Sequence, residues 1–208
     1  MSALVRPLRP VRSPARSSSV EGPRTVAWQE LSREIDACRR CPLGSVRTRA
    51  VIYRGSERPR FVFVGEAPGR AEDLVGRPFV GRGGQILDAA IAHVGLDRSE
   101  FGIVNLIKCR PPENCFDRSA AETCRPYLDR QLELLEPRAL ISLGRFALGA
   151  LVPGAPAILR SAGVPQDAGG RPLYPLVHPA ATLRSRALAQ RWSRDLDGLA
   201  RWIITFRQ

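Results

Sequence analysis

Five side chains of this sequence could together hold a flat polar heterocycle. Glu66 and Glu72 supply carboxylate acceptors. Asn105 supplies an amide and His178 an imidazole, and both of these groups can donate as well as accept hydrogen bonds. The ring of Phe79 could stack on one face of the ligand. Taken singly, Phe79 could be a core residue and Asn105 could bond to the backbone, but the joint occurrence of these groups favours a binding site.

Four short apolar runs predict the strands that would position these side chains. Each run is continuous and short, which is typical of buried parallel strands. The runs cover residues 60–64, 101–107, 138–143 and 173–177. Helical periodicity is found at residues 86–95, 127–135, 146–151 and 187–206. The alternation predicts an α/β fold, in which a central four-stranded parallel sheet is flanked by helices on both faces.

The polar residues fall where such a sheet binds ligands, at the carboxyl ends of its strands. Glu66 follows the first predicted strand, Asn105 lies near the end of the second, and His178 follows the fourth. Glu72 and Phe79 belong to residues 70–81, which we expect to form an extended loop at the same edge. The sequence therefore predicts one site that several strands build together.

The composition predicts one folded domain behind a basic tail. The chain has 208 residues, of which 44% are hydrophobic, enough for one full core. Residues 1–24 are rich in Arg, Pro and Ser, so we expect a disordered tail without a stable helix. This tail could hold DNA loosely or have no role. Helical periodicity begins at Val26, and we expect a single domain over residues 25–208.

The charge of the chain favours a polyanionic partner. Lys and Arg number 32 against 20 Asp and Glu, which gives a formal net charge of +12. Phosphates attract such an excess over long range, and guanidinium groups suit phosphate oxygens well. Lys108 is the only lysine, however, and a GC-rich genome would also produce a preference for arginine. Charge alone therefore does not identify the partner.

The sequence shows no segment typical of a membrane or secreted protein. It contains no run of 18 apolar residues. Its first residues lack the apolar core and the cleavage site of a secretory signal. We therefore expect a cytoplasmic protein, whose cysteines are thiols or metal ligands in preference to disulfides.

Four of the five cysteines are spaced as a metal site could be. Cys38 and Cys41 form a C-x2-C pair, and Cys109 and Cys124 come from later segments. Four soft thiolates suit a [4Fe–4S] cluster or Zn²⁺. The lack of a second C-x2-C pair favours the cluster, and buried free thiols are the remaining alternative. Spacing does not decide which four bind, although Cys115, in a polar stretch, is the most readily spared.

Three common catalytic motifs are not found. Residues 81–84 resemble the start of a dinucleotide loop, but Ile86 occupies the third glycine position. A phosphate-binding loop needs Ser or Thr after its lysine, whereas Lys108 precedes Cys109. No Gly-x-Ser-x-Gly elbow supports a serine nucleophile.

Five segments of the chain resemble the type-4 uracil-DNA glycosylases, in that family's order and over roughly residues 35–205. They are CRRCPLGSVRTRAV (38–51), FVGEAPGRAEDLVGRPFVGRGGQILD (63–88), NLIKCRPPEN (105–114), CRPYLDRQLELLEPRALISLGRFAL (124–148) and HPAATLR (178–184). The resemblance implies the three-layer uracil-DNA glycosylase fold with a [4Fe–4S] cluster outside the pocket. It also implies a monofunctional repair enzyme that flips uracil out of single- or double-stranded DNA and hydrolyses its N-glycosidic bond.

The resemblance implies a role for each residue that would surround uracil. Phe79 would stack on the base, and Asn105 would read its edge and reject cytosine. Glu72 would stand against C5 and exclude the methyl group of thymine. His178 would donate a hydrogen bond to O2, where negative charge gathers as the base leaves.

The same resemblance implies the contacts outside the base. Glu66 and Ala67 would line the pocket beside the sugar. Leu183 would wedge into the vacated base stack, with Arg184 near a phosphate. The implied cluster ligands are Cys38, Cys41, Cys109 and Cys124. A monomer that acts on the nucleoid is the expected form.

Some residues depart from the family pattern. Gly83 stands where alanine is more usual, and Cys115 where arginine is common. A basic Arg-Arg-Ile-His insertion after the second strand, present in relatives that become trapped on DNA, is absent, so we expect ordinary turnover. Ala67 supplies no carboxylate, and the base for water could be Glu66 or no residue at all. A non-catalytic DNA-binding module and a hypoxanthine glycosylase are the alternative functions.

Overall fold

The computed structural model describes residues 21–207, so most of the predicted basic tail lies outside the described residues. In the described part, helix α1 begins at Glu21 and therefore includes residues 21–24, which the sequence assigns to the tail. Pro23 lies in the first turn of this helix. Proline is tolerated there because the first backbone N–H groups have no partner within the helix.

The described residues form one six-stranded mixed sheet with the order β1-β3-β2-β4-β6-β5. The strands are β1 (Arg54–Gly55), β2 (Phe61–Gly65), β3 (Phe101–Asn105), β4 (Ala139–Leu143), β5 (Gln166–Asp167) and β6 (Pro172–Leu176). The four predicted strands are parallel neighbours at the centre. The prediction of a sheet with four strands was incomplete, because the antiparallel edge strands β1 and β5 have two residues each and no readable periodicity.

Helices cover both faces of the sheet. They are α1 (Glu21–Ala37), α2 (Leu43–Val46), α3 (Arg70–Val75), α4 (Arg82–His93), α5 (Arg118–Leu135), α6 (Arg145–Leu151), α7 (Ile158–Ser161), α8 (Pro179–Thr182) and α9 (Arg186–Ile204), with a 3₁₀ turn at Pro112–Asn114. The longer helices α1, α4, α5 and α9, and the shorter α6, lie where periodicity predicts them. The four- and six-residue helices were not predicted, since one turn is too short for a periodic signal.

Alternate residues of each central strand face opposite helical layers. In β2, Phe61 and Phe63 belong to the core cluster that contains residues of α4 and α9. Val62 and Val64 belong to the cluster that contains residues of α5 and α6. Successive side chains of a strand point to opposite faces, so fully apolar strands require a helical layer on each side. This arrangement is the three-layer α/β fold that the sequence predicts.

The predicted extended loop over residues 70–81 is partly helical. Helix α3 (Arg70–Val75) occupies its first half and ends at Gly76, whose φ is 78°. The side chain of Glu72 accepts a hydrogen bond from the backbone N–H of Gly69 at 3.1 Å, and this contact starts the helix. The prediction was wrong for these six residues because it did not consider this local cap.

No helix among the described residues has the length and the apolar character needed to cross a membrane.

Candidate active site

A cleft of about 850 Å³ opens at the carboxyl ends of the parallel strands. Its lining includes the predicted base-binding and sugar-facing residues, which are Glu66, Ala67, Glu72, Phe79, Asn105 and His178, and also Arg184. Backbone hydrogen bonds continue the sheet beyond β2 and β3, where the N–H groups of Leu106 and Ile107 donate to the carbonyls of Gly65 and Glu66. The strand ends that carry the polar side chains are therefore fixed by the sheet itself.

Asn105 lies at the floor of this cleft. It is the last residue of β3, and only 1% of its surface is exposed. Its Oδ1 atom is buried and has no hydrogen-bond partner among the described residues. A buried polar atom without a partner destabilises the folded chain by ~1–3 kcal/mol. The position therefore suits an acceptor that a ligand N–H satisfies.

The lack of a side chain at Gly65 leaves room for the side chains of Asn105 and Phe79. A Cβ atom at this position would lie 2.3 Å from Asn105 Oδ1 and 2.6 Å from the ring of Phe79. Any side chain at position 65 would therefore collide with both the amide and the aromatic ring. Glycine is required here because the Asn105 amide and the Phe79 ring occupy the space that a Cβ atom would need.

Phe79 is held in an uncommon backbone conformation above the floor. Its φ is 55°, in the left-handed region that residues other than glycine rarely occupy. Its carbonyl accepts a hydrogen bond from Arg54 Nη1 at 2.8 Å. The ring centroid lies 5.9 Å from that of His178, with an angle of 28° between the planes. The predicted stacking ring and the predicted donor thus face each other across the cleft.

Glu72 organises the segment that carries Phe79. Its Oε1 atom accepts hydrogen bonds from the backbone N–H groups of Val80 at 2.9 Å and Gly81 at 2.8 Å. Its Oε2 atom accepts from Gly69 at 3.1 Å. The carboxylate is 9% exposed and joins both ends of the segment that contains α3. This bonding identifies Glu72 as a positioning residue, and its contact with C5 of a base stays a prediction.

Glu66 is a largely buried carboxylate at the edge of the cleft. Burial raises its pKa above the ordinary value, against the opposing effects of a hydrogen bond from the Phe146 backbone N–H and of the charge of Arg145. That N–H lies 3.1 Å from Oε1. A Cβ atom at Gly144 would lie 2.3 Å from the same oxygen, so this glycine provides the room for the carboxylate.

His178 is neutral at physiological pH. Burial lowers its pKa to about 4, with the Arg184 charge acting in the same direction and Glu72 opposing it. Its Nδ1 atom accepts a hydrogen bond from the backbone N–H of Ala180 at 3.2 Å. Because the acceptor nitrogen of a neutral imidazole carries no proton, the proton belongs to Nε2. The imidazole of His178 is therefore a neutral hydrogen-bond donor in the cleft.

The rim of the cleft carries residues that the sequence predicts and others that it does not. Leu183 follows α8 and is 47% exposed, next to the lining residue Arg184. Leu159 of α7 also lines the cleft and is 55% exposed. Phe116 and Phe146 stack with centroids 4.0 Å apart. No motif in the sequence indicates Leu159 or this aromatic pair, because α7 is too short for a periodic signal and the stacked rings come from distant segments.

Lys108 supports the floor of the site. It is 1% exposed, and its Nζ atom donates a hydrogen bond to the main-chain carbonyl of Asn105. Burial lowers its pKa to about 8, against the opposing charges of Cys124, Asp129 and Cys109. The amine is thus used inside the fold and is not among the residues that line the cleft.

The four predicted metal-ligating cysteines lie close enough to one another for their charges to interact. Cys109 and Cys124 are buried, Cys38 and Cys41 are partly buried, and Cys115 is exposed. Burial raises the pKa of both buried thiols, and the electrostatic neighbours of Cys109 include Cys38 and Cys41.

The geometry of these thiols bears on which metal they could hold. Within residues 21–207, no group of three or more His, Cys, Asp or Glu side chains is arranged to hold a single metal ion. A zinc ion would need four sulfurs within about 2.3 Å of one point. Arg47 Nη1 donates a hydrogen bond to Cys109 Sγ at 2.9 Å.

Comparisons with known proteins place this site within a family. The family model of the Uracil DNA glycosylase superfamily matches residues 52–196, a range that contains every cleft residue predicted from the sequence. A type-4 uracil-DNA glycosylase of Pyrobaculum aerophilum is 39% identical over 182 residues, which cover 81% of this chain and 90% of that protein. The type-4 enzyme of Thermotoga maritima is 38% identical over 160 residues, with 76% and 83% covered.

A third relative is more similar over a shorter stretch. The type-4 uracil-DNA glycosylase of Archaeoglobus fulgidus is 47% identical over 119 residues, which cover 57% of this chain and 60% of that protein.

Gly83 and Gly84, in the first turn of α4, provide a matched test of how Phe79 is positioned. A Cβ atom at Gly84 would lie 2.0 Å from the carbonyl oxygen of Phe79, whereas one at Gly83 would make an ordinary 3.5 Å contact with Ala180. We expect Gly84→Ala to lower the free energy of unfolding by ~1–3 kcal/mol through overpacking. Gly83→Ala, which restores the more usual family residue, should leave it unchanged. Urea denaturation measures both, and equal stabilities would contradict this account.

Proposed function

The chain belongs to the type-4 uracil-DNA glycosylases, and we propose that it hydrolyses the N-glycosidic bond between uracil and deoxyribose in DNA. The products are free uracil and an abasic site. The nucleotide rotates out of the DNA and its base enters the cleft, because the bond cannot be reached inside the stack. The observation that carries this proposal is the buried, unpartnered Oδ1 atom of Asn105.

The chemistry of Asn105 fits uracil and disfavours cytosine. Uracil presents an N3–H donor beside its O4 acceptor, whereas cytosine presents an N3 acceptor beside an amino donor. The side-chain amide of Asn105 offers the complement of the uracil edge, with Oδ1 accepting from N3–H and Nδ2 donating to O4. Cytosine would leave Oδ1 opposite another acceptor in a buried site. Discrimination of this kind is strong because the unpaired groups stay buried.

His178 and Phe79 act on the base as it leaves. The Nε2–H of the neutral imidazole donates to O2, where the uracil anion gathers negative charge. Removing one such preorganised donor typically lowers the rate by about 100-fold or more. Phe79 stacks on the face of the base and orients it for both polar contacts.

Glu66 acts on the sugar side of the bond. Its carboxylate stabilises the positive charge that develops on the deoxyribose, and it is the one acidic side chain proposed for this position because Ala67 has none. The Phe146 N–H, which donates to Oε1, keeps the carboxylate in place. Water then adds to the sugar cation, so the scheme needs no separate strong base.

Residues at the rim hold the DNA during this reaction. Leu183, half exposed, enters the gap that the rotated nucleotide leaves, and Arg184 neutralises a neighbouring phosphate. Together they offset the cost of unstacking, which is on the order of a few kcal/mol.

No lysine is placed for a second, strand-cleaving step. The single lysine, Lys108, is buried and donates to the Asn105 carbonyl, so its amine is not available at C1′ to form a Schiff base. Uracil removal is therefore the whole reaction. We propose a monomer that acts in the cytoplasm on nucleoid DNA.

The cysteines are the proposed ligands of a [4Fe–4S] cluster. The ligands are Cys38, Cys41, Cys109 and Cys124, while Cys115 stays free. When bound, the cluster supplies cross-links between the N-terminal segment and the core, together with the capacity to change oxidation state. The donor set supports this proposal, since four thiols from three segments lie near one another with no disulfide among the described residues.

The proposed function predicts a large loss of rate when either polar contact to uracil is removed. Asn105→Ala and His178→Ala should each lower single-turnover release of uracil from an oligonucleotide by about 100-fold or more. His93→Ala is the matched control, because this histidine is exposed and pairs with Asp197 on the surface.

Alkali treatment and separation of the strands measure these rates. Unchanged uracil release in both cleft variants would contradict the roles proposed for Asn105 and His178. Binding of DNA without release of any base would favour the non-catalytic module, and preferential release of hypoxanthine would favour the shifted specificity.

The electrostatics of the cleft predict the pH profile. His178 stays neutral down to a pKa of about 4, whereas burial raises the pKa of Glu66 above its ordinary value. As the pH falls, the Glu66 carboxylate is therefore protonated first. The single-turnover rate should decrease with falling pH as Glu66 is protonated, above the pKa of about 4 at which His178 gains its proton. The measurement uses the His93→Gln variant, which leaves His178 as the one histidine, and a decrease that persists unchanged in Glu66→Gln would contradict this account.

The cysteine assignment predicts different outcomes for two serine variants. Cys109→Ser should lower the iron and acid-labile sulfide content of the purified protein and its melting temperature, because one ligand of the cross-linking group is lost. Cys115→Ser should leave the iron content, the sulfide content and the melting temperature unchanged. Equal metal content in the two variants, or zinc in place of iron in the wild type, would contradict the assignment.

A further inference from the structure

A second pocket of about 410 Å³ adjoins the active-site cleft. It lies between α5 and α6, and it shares three lining residues with the cleft: Phe116, Arg145 and Phe146. The shared residues form a wall that borders both cavities. A strand of DNA whose uracil occupies the cleft would therefore pass beside this pocket.

The shared wall is a continuous stack of flat groups. The rings of Phe116 and Phe146 lie 4.0 Å apart with an angle of 8° between their planes. The guanidinium carbon of Arg145 lies 4.5 Å from the centroid of the Phe146 ring. Both aromatic residues are partly exposed, and Arg145 is exposed. Stacks of aromatic rings and arginine are what single-stranded nucleic acid uses to pack its bases, without preference for sequence.

The charge of the pocket suits a phosphate. Its lining contains three arginines, at positions 118, 125 and 145, against the single carboxylate of Glu122. Arg125 is fixed by hydrogen bonds to Asp129 at 2.7 Å and to the Ala150 carbonyl at 2.9 Å. Its Nη2 atom is buried without a partner among the described residues. A guanidinium held in one orientation with a donor left over is prepared for an anion.

We propose that this pocket binds a nucleotide that neighbours the uracil on the same DNA strand. Its base packs on the exposed end of the stack that Phe116, Phe146 and Arg145 form, and its phosphate lies among the arginines. The proposal rests on the proposed function, and it explains how the enzyme would hold a strand that has no partner strand to stabilise it. The contact is independent of sequence, since every base has a face that can stack.

Gly149 allows the pocket to be filled without damage to the fold. It lies in α6 and lines the pocket, and a Cβ atom added there would meet nothing within 4 Å. Gly149→Leu should place a side chain in the pocket while favouring the helix, because glycine is the weaker helix former. Ala89→Leu is the matched control, since it adds the same side chain at an exposed position of α4 that lines neither cavity.

The experiment uses single-stranded oligonucleotides with one uracil, in which one neighbouring nucleotide at a time lacks its base. With the wild-type protein, loss of the base at one position should lower the single-turnover rate about 10-fold, measured with enzyme in excess over DNA but below saturation. Gly149→Leu should lower the rate on the intact oligonucleotide by a similar factor. Removal of that neighbouring base should then cause no further decrease in the rate of this variant. Ala89→Leu should behave as the wild type does.

Two results would overturn the proposal. One is a wild-type rate that does not depend on any neighbouring base, and the other is a Gly149→Leu variant that keeps the full dependence. Either result leaves uracil release intact, so it is distinguishable from failure of the proposed function, in which the wild-type protein releases no uracil from any of these oligonucleotides.

Discussion

Desolvation of polar groups at the strand ends is the constraint on which this site depends. One enclosed environment raises the pKa of Glu66, lowers that of His178 to about 4, and leaves Asn105 Oδ1 without a partner. Each of these effects destabilises the empty protein, because charged and polar groups lose their hydration when they are buried. Such strain is tolerated where a ligand relieves it, which is why polar groups with altered pKa values concentrate at functional sites.

The polar groups can be held in this environment only because the backbone around them approaches unusually closely. Gly65, Gly84 and Gly144 each lie where a Cβ atom would come within 2.3 Å of Asn105, Phe79 or Glu66 respectively. The Glu72 carboxylate then closes the segment that carries Phe79 by accepting three backbone hydrogen bonds. The glycines create the space that these groups occupy, and the Glu72 carboxylate positions the segment that carries the Phe79 ring.

How much of the fold and of the site could be predicted from the sequence depended on which kind of interaction determines each feature. The central strands, the longer helices and the position of Asn105 and His178 follow from apolar runs and from the rule that ligands bind at the carboxyl ends of strands. The cap by Glu72, which makes residues 70–75 helical, is a local hydrogen bond that periodicity does not report. The stack of Phe116 on Phe146 joins residues 30 positions apart, and no pattern within either segment predicts it.

Lys108 joins the catalytic floor to the cysteines. Its ammonium group donates to the Asn105 carbonyl, its own carbonyl accepts from Val51, and Cys109 follows it directly in the chain. A buried lysine with a lowered pKa is stabilised by negative charge nearby, and Cys109 and Cys124 are among the groups that oppose the effect of burial. Lys108 is thus the residue that contacts Asn105 on one side and interacts electrostatically with the buried thiols on the other.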